Sequence, residues 1–440
     1  MLGHSSTQPV MVTGTQTVAA SRFYPWLVFA LSFGLLLSDY MSRQVLNAVF
    51  PLLKAEWALS DTELGALGGI VALMVGLLTF PLSILADRWG RVKSLTLMAA
   101  LWSVATLGCA LANNFGEMFI ARLCVGIGEA AYGSVGIAVV LSVFPRHLRA
   151  SLSSAFIAGG AFGSVLGMAA GGTLSAQFGW RWAFAGMAIF GLVLVVIYRA
   201  LITEPRLQAQ RRALGEDAAP EVQRESMAIR PLLSALFSAR SILCAYVGSA
   251  LQLLVMGALL AWMPSFLSRY YGMATDRAGI TAAAFVLAAG AGMVVCGALT
   301  DWVARHSPSR KWLMAIGYSV TCCVLLAVAF RLPAGTAQLA LIGAGMLLVG
   351  GTAGPASAVV ANLTRPAIHA TAFATLTLAN NLLGLAPGPF VTGVLADRIG
   401  LLGALQWIPL TGLLAAVCFI AGRRYYAADL ERLERQRDAK

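Results

Sequence analysis

Apolar residues along this chain come in long blocks separated by short polar stretches. A helix needs roughly 20 apolar residues to cross about 30 Å of hydrocarbon. Blocks of that order fall near 24–50, 62–86, 94–112, 117–143, 151–176, 182–202, 241–268, 276–300, 311–331, 336–361, 368–395 and 401–421. The pattern predicts an all-α membrane protein of twelve transmembrane helices. Between the sixth and seventh blocks lies a polar stretch, 203–240, with Glu204, Arg206, Arg211, Arg212, Glu216, Asp217, Glu221, Arg224, Glu225, Arg230 and Arg240. It reads as a soluble linker, with room for an amphipathic helix, between two six-helix bundles. The expected organisation is a tail over 1–22, a first bundle over 23–202, the linker over 203–240, a second bundle over 241–421 and a tail over 422–440.

Composition agrees. The chain is 59% hydrophobic and only 11% charged, with mean hydropathy +0.78, against about 45–50% apolar and about 25% charged in soluble domains. A soluble enzyme is excluded, because so little polar surface could not cover the fold. Residues 1–22 have no charged start, short apolar core and small-residue cleavage site, and the first block is too long for a leader, so no cleaved signal peptide is expected.

The net charge of +12 sits in short clusters between the blocks. That is the pattern of cytoplasmic loops rather than of a nucleic-acid-binding stripe. With the N-terminus inside, the cytoplasmic segments hold 23 Lys and Arg and the opposite segments hold six: Lys54, Arg181, Arg269, Arg277, Arg331 and Arg398. The expectation is a bacterial inner-membrane protein with both termini in the cytoplasm. The seven cysteines lie inside apolar blocks without a CxxC pair, and the four histidines are scattered near block ends. Buried packing is the reading for the cysteines, and neither a metal nor a redox cofactor is expected.

An internal repeat then fixes the architecture. Ser83-Ile-Leu85-Ala-Asp87-Arg88-Trp-Gly90 ends block 2, Gly172-Thr-Leu174-Ser-Ala-Gln-Phe-Gly179 ends block 5, Gly297-Ala-Leu299-Thr-Asp301-Trp302 ends block 8, and Gly393-Val-Leu395-Ala-Asp397-Arg398-Ile-Gly400 ends block 11. The spacings are 89 residues within the first half, 96 within the second, and 214 and 221 between halves. A three-helix unit recurs four times, as in secondary transporters built from repeats around a midplane site. Leu85-Ala-Asp87-Arg88-Trp-Gly90-Arg91-Val-Lys93 resembles the signature loop of the major facilitator superfamily, with Ser83 in place of its leading glycine and Lys93 one place late. The resemblance covers roughly 24–421. It implies the two-bundle fold and gives Asp87, Arg88 and Arg91 a gating role, clasping the halves in the outward-facing state, with Asp301 and Arg305 as a weaker copy. A positive topology anchor is the plainer reading of the same charges.

Ionisable groups inside spans cost at least about 2.5–3.5 kcal/mol each and face a cavity or a partner. Four occur: Asp39 and Arg43 in block 1, and Arg122 and Glu129 in block 4. Asp39 and Arg43 are i,i+4, with the acid first, the favourable order. Arg122 and Glu129 are i,i+7, on one face two turns apart. Block 1 runs outward and block 4 inward, so both acids fall near mid-membrane and both arginines nearer the periplasm. Blocks 7–12 hold none outside their ends, which places the ionic chemistry in the first half. Two neutralised packing pairs are the rival reading.

Arg122-Leu-Cys-Val-Gly126-Ile-Gly128-Glu129-Ala130 resembles the helix 4 motif of Spinster-like transporters and, more loosely, of anion:cation symporters. Ser42-Arg43-Gln44 with Lys54-Ala-Glu56 resembles their helix 1 pattern, except that Ser42 stands where the family acid does. The resemblance implies a proton-coupling and substrate-gating set at Glu129 and Arg43, with Asp39, one turn earlier, substituting for the missing acid. Gly126-Ile-Gly128-Glu-Ala-Ala131 also matches a dinucleotide fingerprint, but no strand precedes it, and close helix packing explains its glycines better. No phosphate-binding G-x-x-x-x-G-K-[ST] loop and no plausible catalytic triad exists, so neither ATP drive nor enzymatic activity is expected.

Neutral polar groups complete the candidate substrate contacts: Gln252, Asn380 and Asn381 in the second half, with Tyr40 and Tyr132 opposite. Asparagine in a span equally serves helix–helix hydrogen bonding. Gly350-Gly351, Gly354-Pro355 and Pro387-Gly-Pro389 are expected bend points. Protonating Asp39 or Glu129 leaves an arginine uncompensated and so favours an anion, and linkage requires the reverse. The expectation is a monomeric, proton-coupled carrier of a small organic anion, with Glu129 as proton site and Arg43 or Arg122 as anion clamp. The same-fold alternative is an exporter of an amphipathic lipid or drug, and the alternative of another class is a non-transporting sensor or scaffold.

Overall fold

The computed structural model describes residues 23–213, 236–237, 239–305, 307, 309–364 and 368–438. The expected tail over 1–22 and the middle of the expected linker lie outside them. Span 1 is Tyr24–Trp57, span 2 Asp61–Trp89, span 3 Arg91–Leu111, and span 4 Phe115–Glu129 followed by Tyr132–Ser142. Span 5 is Arg149–Phe178 and span 6 Trp180–Leu201, after which a short polar helix occupies Glu204–Ala213. Spans 7, 8 and 9 are Arg240–Tyr271, Thr275–Ala304 and Arg310–Ala329. Span 10 is Thr336–Val349 followed by Ala353–Asn362. Span 11 starts as His369–Asn380 and runs on to a corner at Gly400, and span 12 follows from there.

The last two spans form one continuous helical stretch, interrupted by the non-helical Gly400 (φ 78°, ψ 158°). The repeat explains this corner. Gly90, Gly179 and Gly400, the closing residues of three of its four copies, all take left-handed φ angles of 95°, 89° and 78°. That region is open to glycine at no steric cost, so each glycine reverses the chain in a single residue. Span 12 then proceeds through Ile408–Leu410 into a helix over Thr411–Asp438. The expected tail from residue 422 is helical through Asp438, continuous with the helix of span 12. Its Asp429 accepts hydrogen bonds from the backbone and hydroxyl of Ser241 at the start of span 7.

Three spans break, two of them where the sequence supplies a reason. Span 10 yields at Gly350, as expected from its paired glycines. Span 11 holds one π-helical turn, Asn381–Leu385, directly ahead of Pro387. There the Ala386 N–H donates to the carbonyl of Asn381 at 2.9 Å, five residues back, the register of a π turn. Span 4 opens at Ala130–Ala131, and the carbonyl of Ala130 accepts from the hydroxyl of Thr79 at 2.6 Å.

Twelve crossings put Tyr24 and Asp438 on the same side, which defines a termini end and an opposite end. The halves meet along spans 5 and 8, spans 2 and 11, and spans 1 and 7. Span 5 approaches span 8 at Gly172 and Gly279, where a Cβ on Gly279 would lie 2.9 Å from the Cα of Gly172. Spans 1 and 7 touch through Phe50 and Trp262, whose rings are 5.4 Å apart. Polar links between the halves cluster at the opposite end. Arg269 of span 7 donates to Asp61 of span 2 through both terminal amines, at 2.8 and 2.6 Å. Asp397 of span 11 accepts from the backbone N–H groups of Asp61 and Thr62, both at 2.8 Å. Of the expected gating groups at the termini end, Arg88, Asp301 and Arg305 are exposed and Arg91 is half-buried, while the side chain of Asp87 lies outside the described set.

Candidate functional site

Spans 1 and 4 bring their ionisable residues together at mid-helix. Arg43 Nε donates to Asp39 Oδ1 at 3.0 Å, the i,i+4 pair expected from the sequence. The same Nε lies 2.8 Å from Oε2 of Glu129, a residue 15 positions into span 4. Both carboxylates are sealed, with side chains 2% and 0% exposed, whereas Arg43 keeps 21% of its side chain exposed. Neither terminal amine of Arg43 has a hydrogen-bond partner among the described residues, and the guanidinium carbon stands 5.0 Å from the centre of the Tyr40 ring. Tyr40 itself is half-buried against Gly160 and Gly163 of span 5.

Glu129 therefore pairs across helices with Arg43, not along its own helix with Arg122 as the i,i+7 spacing suggested. Arg122 is 2% exposed, and its Nη1 donates to the backbone carbonyl of Ser42 at 2.9 Å, with Nε at 3.5 Å from the carbonyl of Leu67. Two turns are about 11 Å along a helix axis, too far for direct contact, so the guanidinium seeks carbonyl oxygens on spans 1 and 2 instead. Ser42 is the joint. Its hydroxyl lies 2.9 Å from Oε1 of Glu129 and 2.7 Å from the carbonyl of Asp39, so its single proton serves one acceptor at a time. The position that lacks the family acid thus still touches the carboxylate network.

The cluster is one guanidinium held between two carboxylates, with a second guanidinium one residue away through Ser42. Its formal charge is zero, and it becomes +1 when either acid binds a proton. Gly126 and Gly128 permit the closeness: a Cβ on Gly126 would lie 2.8 Å from Cβ of Met74, and one on Gly128 would lie 2.7 Å from the backbone N of Trp102. Close packing on spans 2 and 3, rather than a nucleotide, explains the pair.

The neutral candidates separate. Tyr132 is fully buried inside the first half, its hydroxyl donating to the Ser32 carbonyl at 2.7 Å and its ring edge-on to Trp102 at 4.9 Å. Gln252 is fully buried, facing Gly412 of span 12, and neither amide atom has a hydrogen-bond partner among the described residues. Neither position is a lining one, which departs from the expected substrate contacts. Asn381 sits 6% exposed in the π turn, donating to the Thr377 carbonyl at 2.9 Å, against Gly76 of span 2. Asn380 is half-buried, with a carbonyl oxygen that has no partner among the described residues.

Sequence reasoning missed the opposite-end cluster. Lys54 Nζ lies 2.6 Å from Asp61 Oδ1, alongside Arg269, and Glu56 accepts from Trp180 Nε1 and, at 2.7 Å, from Arg181. The signal was the repeat, which carries an aspartate at residue 397 as it does at 87.

Comparison with known proteins bears on the fold and the family. The gallate transporter of Pseudomonas putida is 27% identical over 329 residues, covering 69% of this chain and 71% of its own. The sphingosine-1-phosphate transporter SPNS2 of Danio rerio is 23% identical over 440 residues, covering 92% and 85%. The crystal structure of a bacterial homologue of the human lysosomal transporter Spinster, inward-facing and unoccupied, has a TM-score of 0.81 at 20% identity, covering 93% of this chain and 99% of that one. The sequence model described as Major Facilitator Superfamily matches residues 32–389. With the repeat, the two bundles and a match over most of its length, the chain belongs to the major facilitator superfamily of membrane transporters.

Proposed function

We propose that the protein carries a small organic anion across a bacterial inner membrane by proton-coupled alternating access, with both termini in the cytoplasm. The observation that carries this reading is the sharing of Arg43 between Asp39 and Glu129 while its outer edge stays exposed. With both carboxylates ionised, the guanidinium is fully compensated. A proton on Glu129 removes one counter-charge, and the free fork of Arg43 then accepts a carboxylate in two parallel hydrogen bonds. Tyr40, below the guanidinium, keeps its plane fixed for that contact.

Linkage makes the coupling reciprocal: a bound anion raises proton affinity by the same factor by which the proton raises anion affinity. Releasing either at the far side weakens the hold on the other. Arg122, fixed by the carbonyl of Ser42, adds a standing positive field rather than a ligand contact. The halves rock about the site, and the opposite end, closed in this structure, is the periplasmic one.

Proteoliposomes loaded against a pH gradient test this with gallate-like carboxylates as probes. Glu129→Gln is expected to abolish pH-gradient-driven accumulation while leaving exchange of labelled for unlabelled substrate. Accumulation that keeps its full dependence on the pH gradient in Glu129→Gln would sink the coupling. A second reading, export of an anionic amphipath, is favoured by the similarity to SPNS2 over 92% of the chain. It places a phosphate rather than a carboxylate on Arg43, and lysophospholipid competition in the same vesicles separates the two.

A further inference from the structure

None of the four repeat copies contributes a residue to the proposed transport site, and one of them links the two halves. Gly393-Val-Leu395-Ala-Asp397-Arg398-Ile-Gly400 matches the loop at Asp87, but chain direction puts it at the opposite end of the molecule. There Asp397 reaches across to the other half. Its Oδ1 accepts from the Asp61 N–H at 2.8 Å, and its Oδ2 accepts from the Thr62 N–H at 2.8 Å and the Thr62 hydroxyl at 2.6 Å. These are the leading N–H groups of span 2, where a helix lacks internal partners and favours an anion.

A second contact runs the other way. Asp61 of the first half receives both terminal amines of Arg269 from the second, a two-pronged pairing that fixes position as well as charge. Each half thus lends one carboxylate to the other at adjacent residues. Span 2 does not need Asp397 to begin. Its own capping box, in which the Ser60 hydroxyl accepts from the Glu63 N–H and the Ser60 N–H donates to Glu63, already starts the helix.

We infer that Asp397 is a positioning residue of the transport cycle, a latch that holds the opposite end shut and releases as a unit with the Asp61–Arg269 pair. The arrangement is built to let go. The groups that Asp397 binds are a hydroxyl and two N–H groups at a helix start, which water serves equally well once the ends part. Asp61 does not become a lone charge on opening either, because Lys54, in its own half, stays 2.6 Å away. A pair that loses one partner without replacement is strongly destabilised; Lys54 removes that barrier.

Hydrogen–deuterium exchange of the full chain in nanodiscs, without substrate, tests the latch. Asp397→Asn is expected to shift the equilibrium toward opening of this end by roughly ten-fold. Exchange should rise around residues 58–66 and 266–272 and fall around residues 83–95 at the termini end, because one end closes as the other opens. Thr62→Val, which removes a single contact, should move both regions in the same sense by roughly three-fold. Lys54→Ala should move them in the opposite sense, since Asp61 then depends wholly on Arg269. A change in Asp397→Asn confined to residues 58–66, or a Lys54→Ala shift in the same direction as Asp397→Asn, would overturn the latch.

Discussion

Spans 1 and 7 each contain one interior proline, Pro51 and Pro264. Aligned on these prolines, Asp39 falls opposite Gln252, and Arg43 opposite Met256. At the same depth one half holds an acid bound to a base, and the other a neutral amide turned into its own interior. Ions near mid-membrane cost several kcal/mol unless partnered. Confining them to one half lets the other remain a scaffold of small and apolar residues against which the ionic half moves. The repeat preserved the backbone of both copies and the chemistry of one.

Several substitutions test how far that division goes. Arg43→Ala strands two buried carboxylates and is expected to destabilise by about 3–5 kcal/mol, read as thermal unfolding in detergent. Adding Glu129→Gln should recover part of the loss. Stability equal to the unaltered protein would mean that the cluster is not ionic at all. Gln252→Glu, which copies the first half's charge into the second without a base, should cost about 2.5–3.5 kcal/mol. Gln252→Leu, by contrast, removes an unpartnered amide and should be neutral or stabilising by about 1 kcal/mol. If Gln252→Leu folds normally yet stops transport, Gln252 belongs to the substrate path and the division fails. The smallest effect is expected from Tyr132→Phe, a loss of about 0.5–1.5 kcal/mol for the bond to Ser32 with the substrate KM unchanged.

The spans were legible because lipid demands long apolar blocks, and the repeat because it needs a glycine at each one-residue corner. Asp39, Arg43, Arg122 and Glu129 stood out for a similar reason: charge is rare inside a span. Their pairing was less legible. Helix periodicity ranks neighbours along one helix, whereas Arg43 and Glu129 meet across 86 residues of chain. The partners of Arg122 were hidden for the same reason, since they are carbonyls of spans 1 and 2 that no side-chain pattern reveals. Gln252 and Tyr132 show the complementary limit. A polar residue inside a span signals that something must be satisfied or endured, but not whether it faces a pathway or a neighbouring helix. Asp61 escaped notice, and Asp397 stood out only as part of the repeat, because charge at a span end is ordinary.

The corner at Gly90 has a mechanical consequence. A turn of one residue stores no slack, so span 2 passes any tilt directly into span 3. Span 2 has 29 residues with Pro81 inside it, about 43 Å of helix at helical rise. At that length a tilt of about 5° displaces one tip relative to the other by about 4 Å, more than the 2.6 Å that separates Lys54 and Arg269 from Asp61. A few degrees delivered at one membrane face are therefore enough to undo the contacts at the other.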